Sequence, residues 1–187
     1  MKHLKLTLFI LAASVSGVWA QSVDTVAVWS QSMKKNVKNV VITPANYKTA
    51  KNERFPVVYL LHGAGGNYSN WIKKTPFLPE LASRYGMIIV CPDGNTHSWY
   101  WDSPVDTTSR YETYVSKELR EFIDKTYRTV DSREGRAITG LSMGGQGALF
   151  LAFRHLDLYG ACGSISGGVD IQSFPSSWYM EQKLGSQ

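Results

Sequence analysis

Cysteine and histidine are scarce in this chain: two cysteines, Cys91 and Cys162, and four histidines, His3, His62, His97 and His155, in 187 residues. They form no cluster with carboxylates at ligand spacing, which argues against a structural or catalytic metal centre, and no cofactor is expected. Long apolar runs are also lacking. The one at residues 6–18 is too short to span a bilayer. Charge is sparse at 19%, and the basic residues (Lys34-Lys35, Lys73-Lys74, Arg133, Arg136) are scattered and do not form a stripe, so nucleic acid is not an expected partner. There are no internal repeats and no low-complexity linker. What remains, with 43% hydrophobic residues, is enough apolar material for one globular domain.

Residues 1–20 read differently from the rest. Lys2 and Lys5 precede an apolar core from Leu6 to Val18, and Val18-Trp19-Ala20 has the small-residue pattern of a cleavage site before Gln21. We expect a signal peptide, export to a periplasm or the exterior, and a domain over residues 21–187. Without Lys2 and Lys5 the formal charge falls from +5 to +3.

The chemistry concentrates in Gly140-Leu141-Ser142-Met143-Gly144. An apolar run, Arg136 to Thr139, precedes it, and a small-residue apolar stretch, Gln146 to Phe153, follows. Strand, sharp turn with serine, then helix is the context of a G-x-S-x-G nucleophile elbow. The spacing has a steric reason: the positions two before and two after the serine approach other backbone so closely that only glycine fits. The helix that follows directs its N-terminal amides toward a developing oxyanion. One oxyanion donor is the N–H of Met143. The second is expected from the loop after an earlier strand, Leu60-Leu61-His62-Gly63-Ala64-Gly65-Gly66, where we assign Ala64.

Periodicity places the other elements. Alternation from Ser22 to Met33, a turn at Lys34-Lys35-Asn36 and a strand from Val37 to Thr43 predict an N-terminal hairpin. Phe55 to Leu61 and Met87 to Cys91 are continuous apolar runs of buried strands. Between them lies a helical region, about 68–85, interrupted by Pro76 and Pro79. A long loop, Pro92 to Arg110, carries His97 and Trp99-Tyr100-Trp101; Tyr111 to Tyr127 is an amphipathic helix. Ala161 to Ser166 is the next strand, and Gly167-Gly168 opens a loop running to Gln187. Strands alternating with helices after a hairpin predict an α/β fold: a mostly parallel sheet covered on both faces, with function at the carboxyl ends of the strands.

Several motifs in order, Leu60 to Gly66, Cys91-Pro92-Asp93-Gly94, Ser98-Trp99-Tyr100, Ser116-Lys117-Glu118-Leu119 and Thr139 to Gly145, resemble the esterase D-like putative esterase family of the α/β-hydrolase superfamily. That family includes acetyl, feruloyl and tributyrin esterases, S-formylglutathione hydrolases and mycolyltransferases. The resemblance spans about residues 39–168 and implies Ser142 as nucleophile with Ala64 and Met143 as oxyanion donors. It also implies that the strand of Cys91 lies beside that of Tyr59, followed by those of Ile138 and Cys162. On that order the cysteines are three strand steps apart, roughly 14 Å. A disulfide spans less than about 7 Å between Cα atoms, so both are expected to be buried free thiols.

In this fold the triad runs serine, acid, histidine. After Ser142 the only histidine is His155, some thirteen helical residues on and so about 20 Å along the axis. Proton transfer needs about 3 Å. His62 reads as a packed turn residue, His97 as a substrate-loop residue, and Asp170 comes too early for the triad acid. The expectation is an esterase domain that lacks its last strands, with acid and histidine beyond Gln187, and nearly inactive as given. The complete enzyme is expected to cleave short-chain acyl, acetyl or feruloyl esters, free or linked to plant polysaccharide, with His97 shaping a substrate loop. Trp99, Tyr100 and Trp101 either pack on a sugar or phenolic group of the substrate or form a hydrophobic lid that anchors the loop. An acyltransferase of the same family and a non-catalytic carbohydrate-binding protein on the same scaffold are the alternatives.

Overall fold

The computed structural model describes residues 21–170 and 178–185; the expected signal peptide lies outside them. Six strands form one sheet in the order β1-β2-β4-β3-β5-β6. β1 (Ser22–Ser30) and β2 (Lys35–Thr43) are the antiparallel hairpin. β2 joins β4 (Ile88–Pro92) antiparallel, while β3 (Val57–Leu61), β5 (Arg136–Leu141) and β6 (Ala161–Ile165) continue the sheet in parallel. This is the expected order, with the strands of Cys91 and Cys162 separated by β3 and β5.

Side chains alternate across a strand, and the two faces bury separate clusters. On one face Val37, Val41, Val57, Tyr59, Leu61, Ile88, Val90 and Ile138 pack together; on the other lie Val40, Ile42, Leu60, Ile89 and Cys91. Hence β3 and β4 read as unbroken apolar runs. Two short helices, α1 (Asn70–Lys74) and α2 (Leu78–Arg84), cover the second face. The first is covered by the helical segment 111–126, built from α3 (Tyr111–Thr113), a π-helical stretch Tyr114–Leu119 and α4 (Arg120–Thr126), and by α5 (Met143–Arg154). At the amino end of β5, Arg136 is buried and pairs at 2.9 Å with both Asp124 of α4 and Asp131.

Four expectations need correction. The hairpin turn is residues 31–34, with Lys34 at φ 56°, so β2 starts at Lys35 and the turn lies a few residues earlier than its polar composition suggested. Pro79 does not interrupt a helix but sits in the first turn of α2, where its missing N–H costs nothing. The loop after Gly168 contains a further helix, α6 (Met180–Leu184), anchored by buried Met180. Cys162 is a free thiol as expected, yet it is exposed, because among the described residues β6 is an edge strand and is largely uncovered.

Candidate active site

β5 ends at Leu141 and α5 begins at Met143, so the chain reverses at a single residue. Ser142 takes φ 55° and ψ −120°, a left-handed conformation that disfavours any side chain, and it is solvent-exposed. Its N–H donates to Ile165 O at 2.8 Å, and its carbonyl accepts the Gln146 N–H at 3.0 Å, the first bond of α5. The flanking glycines are needed for contact. A Cβ on Gly140 would lie 2.5 Å from the Gly144 carbonyl, and one on Gly144 would lie 2.5 Å from Leu61 O and 2.6 Å from His62 O. The elbow thus sits directly against the end of β3.

The loop leaving β3 closes as a turn, Gly66 N–H to Gly63 O at 3.1 Å, with Gly65 at φ 72°. It abuts the serine: a Cβ on Gly63 would be 3.4 Å from Ser142 Cβ and 4.0 Å from its Oγ. Ala64, second in that turn, is exposed and its N–H has no acceptor among the described residues. Met143 is the first residue of α5, a position whose N–H has no intrahelical partner. The structure therefore places Ser142, Ala64 and Met143 on one rim at the carboxyl ends of β3 and β5.

His62 holds this rim together. Its ring is buried; Nε2 accepts the Gly94 N–H at 2.8 Å, which assigns the proton to Nδ1, 2.8 Å from Gly63 O. Burial pushes its pKa below the usual histidine value, although its contact with Gly63 O and the Asp93 charge oppose that shift. A neutral ring with both nitrogens engaged leaves no lone pair for Ser142. His155 caps the far end of α5, with Nε2 3.1 Å from Glu112. His97 packs its ring on Tyr179 at 4.3 Å. Among the described residues no histidine is hydrogen-bonded to Ser142.

Of the two readings open for Trp99, Tyr100 and Trp101, the structure shows the anchoring one and not the substrate-lining one: they are 3%, 0% and 6% exposed. Trp99 and Tyr100 adopt φ 55° and 58°, which turns the loop inward. Trp99 stacks on Trp101 at 5.5 Å, and Trp101 meets Phe150 of α5. The Tyr100 hydroxyl clamps the His62 peptide, accepting its N–H at 3.0 Å and donating to its carbonyl at 3.2 Å. Burial raises its pKa well above the usual tyrosine value, so the donor proton stays in place.

Beside Ser142 opens a cleft of about 360 Å³ lined by His62, Gly63, Ala64, Asn70, Trp71, Lys74, Thr75, Leu141 and Ser142. The contribution of α1 was missed from sequence. Its signal is Trp71, which follows the glycine turn closely and donates from Nε1 to Leu61 O at 3.0 Å, fixing the helix over the cleft. The lining contains the lysine but no carboxylate. No group of three or more metal-ligating side chains occurs among the described residues.

Residues 30–184 match the protein family described as Putative esterase. An esterase of Mycobacterium tuberculosis is 32% identical over 135 residues, which is 71% of this chain and 29% of that protein. An acetyl esterase of Caldicellulosiruptor saccharolyticus is 33% identical over 127 residues, 65% of this chain and 47% of the relative. The endo-1,4-beta-xylanase/feruloyl esterase of Xylanibacter ruminicola is 31% identical over 158 residues, 79% of this chain and 22% of the relative. The chain therefore spans less than half the length of these relatives. Among solved structures, a ferulic acid esterase superposes with a TM-score of 0.73 at 29% identity, covering 81% of this chain and 59% of that one. An S-formylglutathione hydrolase from Agrobacterium tumefaciens gives 0.77 at 25% identity, covering 92% and 67%.

Proposed function

Because the chain belongs to the putative esterase family, we propose that it is a serine carboxylic-ester hydrolase domain, residues 21–187, whose nucleophile is Ser142. The observation that carries this is the backbone of Ser142, an exposed serine at φ 55° between β5 and α5, facing a glycine turn with an unengaged amide. In the reaction Ser142 Oγ attacks the ester carbonyl carbon and gives up its proton to solvent water, no described histidine being hydrogen-bonded to it. The carbonyl electrons move to oxygen as an oxyanion held by the Ala64 and Met143 N–H groups. Collapse of the oxyanion breaks the bond to the alkoxy oxygen, which takes a proton from water and leaves as the alcohol. Water then attacks the acyl-serine, releasing the free acid and returning a proton to Ser142 Oγ. The names of the relatives favour acetyl or feruloyl esters as substrates. Residues 1–20 would direct export.

The proposal includes slow turnover by the 187-residue chain, since no described histidine serves Ser142. A site with nucleophile and oxyanion donors but no base acylates slowly and has no means of activating water for deacylation. Incubated with p-nitrophenyl acetate, the protein should accumulate one acetyl group on Ser142, found by peptide mass spectrometry, with steady-state turnover far below the roughly 10 per second of a typical enzyme. Ser142→Ala should abolish the adduct. An adduct elsewhere, or one unaffected by that substitution, refutes the nucleophile assignment. Ordinary turnover by this chain refutes the slow-enzyme part alone.

A further inference from the structure

The tryptophans of the 97–101 loop are buried, but two consecutive aromatic residues packed against that loop are exposed. Trp178 and Tyr179 are 44% and 55% exposed, each with φ 60°. They are nevertheless held firmly. The Trp178 ring packs on Trp99 at 5.7 Å and its carbonyl accepts the Trp99 Nε1–H at 3.1 Å. Since Trp99 stacks on Trp101, three indoles form a column running from the core to the surface, with Trp178 outermost. Tyr179 lies against His97 at 4.3 Å. Behind them Met180 is buried, Ser103 Oγ donates to Lys183 O at 2.6 Å, and Lys183 pairs with Asp106 at 2.9 Å. Partly exposed rings on a pre-set backbone lose little freedom when a ligand stacks on them.

The position is as informative as the exposure. A Cβ on Gly168 would touch the Trp99 and Trp178 rings at 3.4 and 3.6 Å, and one on Gly167 would lie 2.8 Å from Gln146 N and 2.9 Å from Gly145 C in the first turn of α5. One loop therefore bridges the indole column to the elbow of Ser142. None of these aromatic residues lines the cleft containing Lys74 and Ala64, so this is a second surface on the same rim.

Resting on the ester-hydrolase reading, we propose that Trp178 and Tyr179, with His97, form a platform for a pyranose ring of the carbohydrate that carries the ester. Partly exposed aromatic rings suit a flat ring that presents C–H groups to the π surface and keeps its hydroxyls in water. An acyl chain would need an enclosed groove instead. The His97 ring nitrogens and the Tyr179 hydroxyl supply hydrogen-bonding groups at the edge of the platform.

The test is binding without turnover: calorimetric titration of the 187-residue protein with xylohexaose. Wild type should bind, Trp178→Ala should weaken binding about tenfold or more, Trp178→Phe should retain most of it, and Trp29→Ala, on the opposite edge strand, should change nothing. Should Trp178→Ala fail to fold, the wild-type indole N–H resonances decide, with that of Trp178 shifting on titration and that of Trp29 staying fixed. No binding by wild type, equal binding by Trp178→Ala, or an unshifted Trp178 resonance overturns the platform. Loss of ester chemistry with sugar binding intact overturns only the catalytic reading.

Discussion

Tyr100 and His62 show how much of the site is held by residues that never reach the reacting atoms. The Tyr100 hydroxyl satisfies both the N–H and the carbonyl of residue 62, immediately before the turn that carries Ala64. Tyr100→Phe leaves both buried peptide groups without that partner, a loss of about 1–3 kcal/mol. The denaturant midpoint should fall, and Ser142 acetylation should slow by more than the loss of folded protein explains. His62 gives a pH dependence of definite sign. Burial depresses its folded-state pKa, so the unfolded chain binds more protons and stability rises with pH. That contribution is fully present above the unfolded value of about 6.5 and is lost as pH falls through the window below it. Protonation would also place a proton on Nε2, where the Gly94 N–H now donates. Urea melts should show a midpoint that declines below pH 6.5 in wild type and less steeply in His62→Asn.

At the scale of elements, the elbow was legible because its constraints are steric and local. Glycine at 140 and 144 is forced by contact with neighbouring backbone, and such contacts repeat wherever a strand turns into a helix around one residue. Gly144→Ala should therefore cost at least the 1–3 kcal/mol typical of overpacking, since its Cβ would meet the Leu61 and His62 carbonyls and not a yielding side chain. Gly63→Ala meets only Leu141 O at 3.3 Å and Ser142 Cβ at 3.4 Å, so it should lower the melting temperature much less. Differential scanning calorimetry of the two variants orders them. The aromatic loop stayed undecided for the opposite reason: Trp99-Tyr100-Trp101 lies in a loop of the sort that bears function, and nothing in its composition shows the two consecutive left-handed residues that turn the rings inward and make them an anchor. The exposed counterpart, Trp178-Tyr179, lies in a stretch with no periodicity to read. Its backbone is set by long-range pairing with the 97–106 loop, which a local pattern does not encode.

At the scale of the whole molecule, the described sheet runs from the β1–β2 hairpin at one edge to β6 at the other, and β6 is largely exposed. The strand order was legible through the resemblance, but the exposure of Cys162 was not, because an apolar strand has the same sequence whether or not another element covers it. The two thiols report the difference. Burial pushes the Cys91 pKa up to about 12, so little reactive thiolate forms there near neutral pH, while Cys162 is accessible. A chromogenic disulfide reagent should titrate one thiol in the native protein and both in denaturant; two fast thiols in the native state would contradict the packing of β4. The edge that β6 presents among the described residues has a further consequence, since unpaired N–H and C=O groups along an exposed strand are a template for pairing with another copy. We expect association that grows with concentration, read by light scattering under reducing conditions. Cys162→Lys places a charge on that edge and should suppress it. Cys162→Ser, which removes the thiol but adds no charge, should not. Equal suppression by both would trace the association to the thiol, and no suppression by either would move the contact elsewhere, so the pair of variants distinguishes edge pairing from its two rivals.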